Sequence, residues 1–205
     1  MENSEIFEDY EEQPKTASAK KGSAFLANLH DVVFLVAGVL LVFSLLFRVV
    51  IVSGPSMKNT LIDGDWLLLM GNVLYREPKQ GDIVVACKES YENGTPIVKR
   101  VIATEGQLVD IDFEEGIVYV DNVALDEPYI ITETNLFEGV QFPLTVDEGC
   151  VFVLGDNRGE SKDSRSPEIG LIDCREILGK VIFLIFPGDE GGRLERKLDR
   201  IGVIS

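Results

Sequence analysis

Histidine is almost absent from this chain: His30 is the only one in 205 residues. Any imidazole-based mechanism must therefore work from a position just before the most hydrophobic stretch of the sequence. Cysteine is scarce as well. Three cysteines exclude a disulfide-stapled miniprotein and allow at most one internal bridge. Basic side chains are outnumbered, 19 Lys and Arg against 35 Asp and Glu, for a formal net charge of −16. A surface so acidic repels phosphate backbones, which excludes nucleic acid as a partner. No fixed-period repeat appears, and no strand pattern alternates with helices of 10–15 residues, so a solenoid and a parallel α/β sheet are excluded too. What remains is enough for one core: 45% apolar residues and 26% charged describe a folding domain with appendages, not a disordered chain.

The first appendage is apolar. Val32 to Phe47 contains no charge, and after Arg48 the run resumes through Val52. A membrane-spanning helix needs about 20 predominantly apolar residues, and flanking charges such as Asp31 and Arg48 can snorkel to the interface. The stretch is apolar all round, without the polar stripe of a helix lying on a soluble core. A cleaved export signal would carry a shorter apolar region behind a basic leader, whereas this leader holds Glu2, Glu5, Glu8, Asp9, Glu11 and Glu12. The pattern predicts a disordered tail over residues 1–25, an uncleaved anchor over 26–52 and a folded domain over 53–205. Lys15, Lys20 and Lys21 before the span, against Arg48 and Lys58 after it, favour a cytoplasmic N-terminus and an extracytoplasmic body.

From Asp65 onward the sequence reads as short β-rich runs divided by turns: Trp66–Met70, Ile83–Cys87, Ile97–Thr104, Gly116–Val120, Val151–Leu154 and Gly179–Phe186. Asn93-Gly94 and Asp121-Asn122 are hairpin signals. Short helical pieces fit within Ser164–Glu176 and Gly192–Asp199. The body is predicted to be mostly β.

Three segments carry candidate chemistry. In Ser53-Gly54-Pro55-Ser56-Met57-Lys58, glycine and proline can fix a turn that presents Ser56 beside free backbone N–H groups, although serine in such a turn also serves as a plain turn residue. In Ile97-Val98-Lys99-Arg100-Val101-Ile102-Ala103, two cations interrupt an apolar strand. Alternation puts Lys99 with Ile97, Val101 and Ala103, and Arg100 on the other face. A buried lysine loses several units from its usual pKa of about 10.4 and can accept a proton, while one at an edge would only snorkel to water. Finally, Gly155-Asp156-Asn157-Arg158-Gly159-Glu160-Ser161-Lys162-Asp163-Ser164-Arg165 leaves a buried strand as a dense polar loop, read either as an ion-pair network or as a solvated loop. Asp156, Asn157, Glu160 and Asp163 lack calcium-loop spacing, and the interleaved cations oppose a metal, so no metal is expected.

Taken in order, the anchor and the blocks Ser53–Asp65, Gly81–Val85, Lys99–Gly106 and Gly155–Arg165 resemble bacterial type I signal peptidases, the membrane-anchored serine endopeptidases that remove signal peptides from exported preproteins. The resemblance implies an antiparallel β catalytic domain on one N-terminal transmembrane helix, no cofactor, and Ser56 as nucleophile with Lys99 as general base. It implies that Ser161 hydrogen-bonds the lysine amine, that Asp163 and Arg165 shape the site, and that Asp156, Asn157 and Arg158 support it. The Ser56 N–H would line the oxyanion hole, helped by a backbone donor at Gly54, where some members carry a serine. Val52, Gly54, Met57, Leu61 and Val98 match positions near the pockets for small side chains. The partners implied are signal peptides of preproteins, the lipid bilayer and a neighbouring export channel.

Two departures from the family pattern concern loop geometry: Asn59 replaces a proline, and Ala103-Thr104-Glu105-Gly106-Gln107 replaces Gly-Leu-Pro-Gly-Asp. A soluble self-cleaving repressor would use similar chemistry, but it would lack the span and would need DNA-binding helices. A specialised pilin-processing or sporulation-linked peptidase, or a noncatalytic membrane-anchored β scaffold, remain as alternatives. A Cys150–Cys174 bridge beside the polar loop is an open pairing.

Overall fold

The computed structural model describes residues 17–189 and 198–204, with side chains from 28 onward in the first span. Of the expected tail, residues 1–16 lie outside the described residues. A helix, α1, runs over Ala17–Leu46, starting inside the expected tail and ending before the expected anchor does. Its stretch Asn28–Leu46 is long and apolar enough to cross a membrane, with mean hydropathy 2.4 and none of it buried.

The chain divides into two compact units, residues 1–43 and 44–205. The second opens with β1 (Phe47–Ile51), a strand where the anchor was expected to continue. β-Branching accounts for the change: Val49, Val50 and Ile51 prefer the extended chain once the helix ends. The remaining strands are β2 (Trp66–Gly71), β3 (Ile83–Cys87), β4 (Pro96–Thr104), β5 (Leu108–Asp112), β6 (Ile117–Val120), β7 (Val123–Ala124), β8 (Leu144–Thr145), β9 (Cys150–Leu154), β10 (Ile172–Asp173), β11 (Ile177–Phe186) and β12 (Gly202–Val203). The large sheet has the order β1-β2-β11-β3-β4-β9-β10, with β12 also on β11; the small one is β7-β6-β5-β8. All strand pairings among the described residues are antiparallel, and the body is mostly β as predicted.

Both faces of the central strands are buried, which is why they read as unbroken apolar runs. In β3, Val84 and Ala86 join one core cluster while Ile83 and Val85 join another. In β9, Val151 and Val153 face the first cluster, and Phe152 and Leu154 face a third beneath the small sheet. Each such side chain contributes about 1.5–3 kcal/mol on burial. A bulge between Val101 and Ala103 in β4 breaks the alternation read from sequence. Ala103 therefore packs in the third cluster, apart from Ile97 and Val101.

Asp121 and Asn122 both take positive φ, 52° and 64°, and close a tight hairpin from β6 to β7. Asn93-Gly94 instead lies in a short 3-10 turn, Glu92–Gly94, within a longer β3–β4 connection. The helical piece expected within Ser164–Glu176 is a single 3-10 turn at Cys174–Glu176; of the one expected within Gly192–Asp199, residues 192–197 lie outside the described residues, and Leu198–Arg200 forms a 3-10 turn. Cys87, Cys150 and Cys174 are free thiols. Cys150 packs on the third cluster and Cys174 on the first, which leaves the open pairing unmade.

Candidate active site

Beyond β1 the chain folds into a turn held by Lys58 N–H to the Pro55 carbonyl (2.9 Å) and Leu61 N–H to that of Met57 (2.8 Å). Met57 and Leu61 point down into the core, 1% and 0% exposed, against Val52, Leu67, Leu69, Ile83 and Val85. They are anchors under the turn and are not among the residues that line the groove in front of Ser56 and Lys99. The tight backbone hydrogen bonds turn their side chains inward and leave Ser56, between Pro55 and Met57, half-buried at the surface of the turn. Gly54 adopts φ +90°, a conformation strained for any side chain. Its N–H donates to Asp63 Oδ1 at 2.9 Å, so it is already committed and is not the free oxyanion donor expected there. The Ser56 N–H makes no hydrogen bond among the described residues.

Lys99, in the middle of β4, is 4% exposed, and its Nζ lies 3.0 Å from Ser56 Oγ and 3.0 Å from the Val98 carbonyl oxygen. Burial pulls its pKa from 10.5 down to about 8; the carboxylates of Asp163, Asp156 and Glu138 hold it from falling further, and Arg165 pushes the other way. An amine poised near 8 has a substantial neutral fraction at physiological pH, and the neutral form accepts the hydroxyl proton across the same 3.0 Å contact.

The loop after β9 supports this pair from behind. Asn157 ties the serine turn twice, its N–H to the Ser56 carbonyl (3.0 Å) and its Nδ2 to that of Pro55 (3.1 Å). Asp156 is fully buried and forks onto Arg100 through two 2.9 Å bonds, while its Oδ2 accepts the Thr60 hydroxyl. Arg100 in turn stacks 3.9 Å from the Tyr129 ring centroid. Both β4 cations are thus buried, with Lys99 toward the serine and Arg100 neutralised by Asp156. Asp163 accepts from the Gly155 N–H (3.0 Å) and forks onto Arg165 at 2.8 and 2.9 Å. Arg158 meets Gly155 O, Thr134 and Glu127.

Ser161 is 1% exposed, and its Oγ has no hydrogen-bond partner among the described residues, so the expected bond to the lysine amine is not made. Ser161 packs instead on the bare α-carbon of Gly155, while the amine is turned to Ser56 and Val98.

In front of the pair lies a groove of about 330 Å³. One wall is Val50–Ser56 and the other Pro96–Lys99, with Val52, Gly54 and Val98 among the lining residues. Pro96–Lys99 pairs with β3 alone, because β9 joins β4 only from Arg100 onward. Among the described residues β1 pairs only with β2. Two open strand edges therefore face the groove.

Several contributors escaped sequence reasoning: Asp63, Thr60, and above all Glu127, Tyr129, Thr134 and Glu138 from the irregular segment 125–143. Its mixed composition, without strand or helix periodicity, resembles an exposed loop.

The family described as signal peptidase, peptidase S26, matches residues 26–186. The chain is similar to a signal peptidase I of Bacillus licheniformis, 34% identical over 181 residues that cover 84% of this chain and 95% of that protein. It is similar to signal peptidase I T of Bacillus subtilis (strain 168), 35% identical over 184 residues, 86% of this chain and 92% of that one. A crystal structure of a signal peptidase I from Enterococcus faecalis V583 aligns over 51% of this chain and 96% of that chain, at 28% identity and a TM-score of 0.42.

Proposed function

The chain belongs to the signal peptidase family, peptidase S26, and from that membership we propose that it removes signal peptides from exported preproteins with Ser56 as nucleophile and Lys99 as general base. The observation that carries the assignment is the 3.0 Å contact between Lys99 Nζ and Ser56 Oγ, with the lysine buried and its pKa drawn down to about 8. In the first step Lys99 takes the hydroxyl proton as Ser56 Oγ bonds to the scissile carbonyl carbon. The lysine then passes that proton to the leaving amine as the C–N bond breaks, giving an acyl-enzyme. In the second step Lys99 deprotonates a water, which attacks the ester and regenerates both groups. The unpaired Ser56 N–H is the backbone donor available to the developing oxyanion.

The two open edges flanking the groove suit an extended peptide that adds its own backbone hydrogen bonds between them. Alternate side chains would then enter the shallow spaces beside Val52 and Val98, the basis for cleavage after small residues in an Ala-x-Ala pattern. Asn28–Leu46 would anchor the enzyme in the bilayer, raising its effective concentration toward substrates that are themselves membrane-inserted and bringing it near an export channel. The lysines before the span favour an N-terminus in the cytoplasm and a catalytic body outside it.

The test is cleavage of a preprotein bearing an Ala-x-Ala site by the detergent-solubilised full chain, beside Ser56→Ala and Lys99→Ala, with the product N-terminus sequenced. Cleavage after that motif by the wild type alone supports the reading. Full activity in Lys99→Ala refutes the base, and a folded but inert wild type refutes the substrate class.

A further inference from the structure

Glu138 lies on segment 125–143 with its side chain only 10% exposed, 3.7 Å from the Arg165 guanidinium. The segment is pinned on either side of it, by Arg165 Nη1 to the Leu136 carbonyl (3.2 Å) and by Val140 N–H to the Arg165 carbonyl (3.0 Å). Arg165 does not need it for neutrality, because Asp163 already holds the guanidinium with two bonds. The Glu138 Oε2 atom, buried, has no hydrogen-bond partner among the described residues. Stability alone does not account for a carboxylate there, since an under-bonded buried acid costs free energy. Burial and the nearby Asp163 push its carboxyl above the usual range.

One guanidinium thus faces two carboxylates, and Asp163 ties that cluster, through the Gly155 N–H, to the loop that packs on the Ser56 turn and so to the 3.0 Å contact of Ser56 with Lys99. The charges acting on Lys99 are Asp163, Asp156 and Glu138 on one side of the ledger and Arg165 on the other. Those acting on Glu138 are Asp163 and Glu168 against Arg165 and Lys162. We infer that Glu138 is a positioning residue of the reaction: by sharing Arg165 with Asp163 it leaves a net negative wall that stabilises the ammonium formed on Lys99 when Ser56 is deprotonated. The inference rests on Lys99 acting as the base. Its cost is a base that is less often neutral at rest; its gain is a charge already arranged for the transition state.

The experiment is a 13C-lysine NMR titration of the detergent-solubilised full chain, with the Lys99 signal identified by its loss in Lys99→Ala, run beside the pH profile of kcat/KM. In Glu138→Gln and Glu138→Met the Lys99 titration moves down by about half a pH unit, the reduced stabilisation expected for one partly screened charge. The acid limb of kcat/KM follows it, and the plateau kcat drops several-fold. Glu138→Asp, which keeps the charge, stays near the wild type. An unmoved Lys99 titration in a neutral variant that melts like the wild type overturns the inference. So does an equal shift in Glu115→Gln, an exposed acid on the β5–β6 turn. A Lys99 titration that moves while the acid limb stays leaves the electrostatic role of Glu138 intact and refutes Lys99 as the base.

Discussion

A Cβ built on Gly155 would lie 2.5 Å from the Ser56 carbonyl oxygen, and still nearer the Ser161 side chain. The loop after β9 and the turn that carries the nucleophile therefore touch through a bare α-carbon. Gly155→Ala must push one of them away, and the Asn157 bonds to Pro55 and Ser56 oppose that movement. We expect kcat/KM to fall by at least about 100-fold, as follows from a misplacement near 1 Å, with a stability loss of about 1–3 kcal/mol. At Gly159 the nearest atom to a built Cβ is Thr132 Oγ1 at 3.4 Å. Gly159→Ala should therefore keep activity within a few-fold, and comparing the two variants in one cleavage assay and one thermal melt checks the claim.

Lys99 carries a stability signature as well as a catalytic one. Its pKa falls from 10.5 unfolded to about 8 folded, so between those values the unfolded chain holds more protons and stability rises with pH. Below 8 the charged amine stays buried at a constant penalty of about 3 kcal/mol. Lys99→Met should be inert and, at pH 7, more stable than the wild type. Its advantage should shrink steadily from pH 8 to 10.5. Melting temperatures across that range test the sign, and a pH-independent difference would refute it. In the wild type, kcat/KM should climb as pH rises toward 8 and level off above it.

Asn59 sits at φ +89°, and its side-chain amide donates to the Tyr129 carbonyl at 3.0 Å. Proline, the residue that the resemblance sets here, is locked near φ −65° and cannot occupy this backbone. Asn59→Gly should retain activity and lose about 1 kcal/mol with the hydrogen bond. Asn59→Pro should cost about 3 kcal/mol or more and take activity with it, because Leu61 and Met57 can no longer anchor the turn. Urea denaturation of both variants separates the backbone effect from the lost side-chain bond.

The strands were legible because their signals are local, whereas Ser56 and Lys99 were paired only through the family resemblance, and the structure brings them to 3.0 Å. Unbroken apolar runs mark strands buried on both faces, as Val151–Leu154 proved to be, and Lys99 stood out as a cation within such a run. The end of the helix was less legible, since Phe47–Ile51 is as apolar as a span and only its β-branching argues for a strand. Alternation failed at Ala103, where a bulge shifts the register by one residue, and a bulge leaves no mark in side-chain chemistry. Met57 and Leu61 followed the family pattern to the right turn, but their inward direction depends on the backbone bonds that close it. The least legible part was segment 125–143, whose partners lie about 20 to 70 residues away in sequence. Its scattered acids read as solvent-exposed until the burial of Arg158 is known.

That arginine supplies the last test. Arg158 is fully buried, and its guanidinium is neutralised by Glu127, which is itself 6% exposed, with Thr134 Oγ1 at 2.6 Å completing the donor set. Removing one partner of such a pair leaves a stranded charge, which costs about 3–5 kcal/mol, whereas removing both costs far less. Glu127→Ala should therefore destabilise the domain by that amount, and Glu127→Ala with Arg158→Met should recover much of it. A double-mutant cycle in urea measures the difference. Activity separates the two roles: if the pair only stabilises the fold, the double variant regains cleavage along with stability. If Arg158 also sets the path of the loop through its bond to the Gly155 carbonyl, at 3.0 Å, stability returns while kcat stays low. We expect the second outcome, because Gly155 is where that loop meets the carbonyl of Ser56.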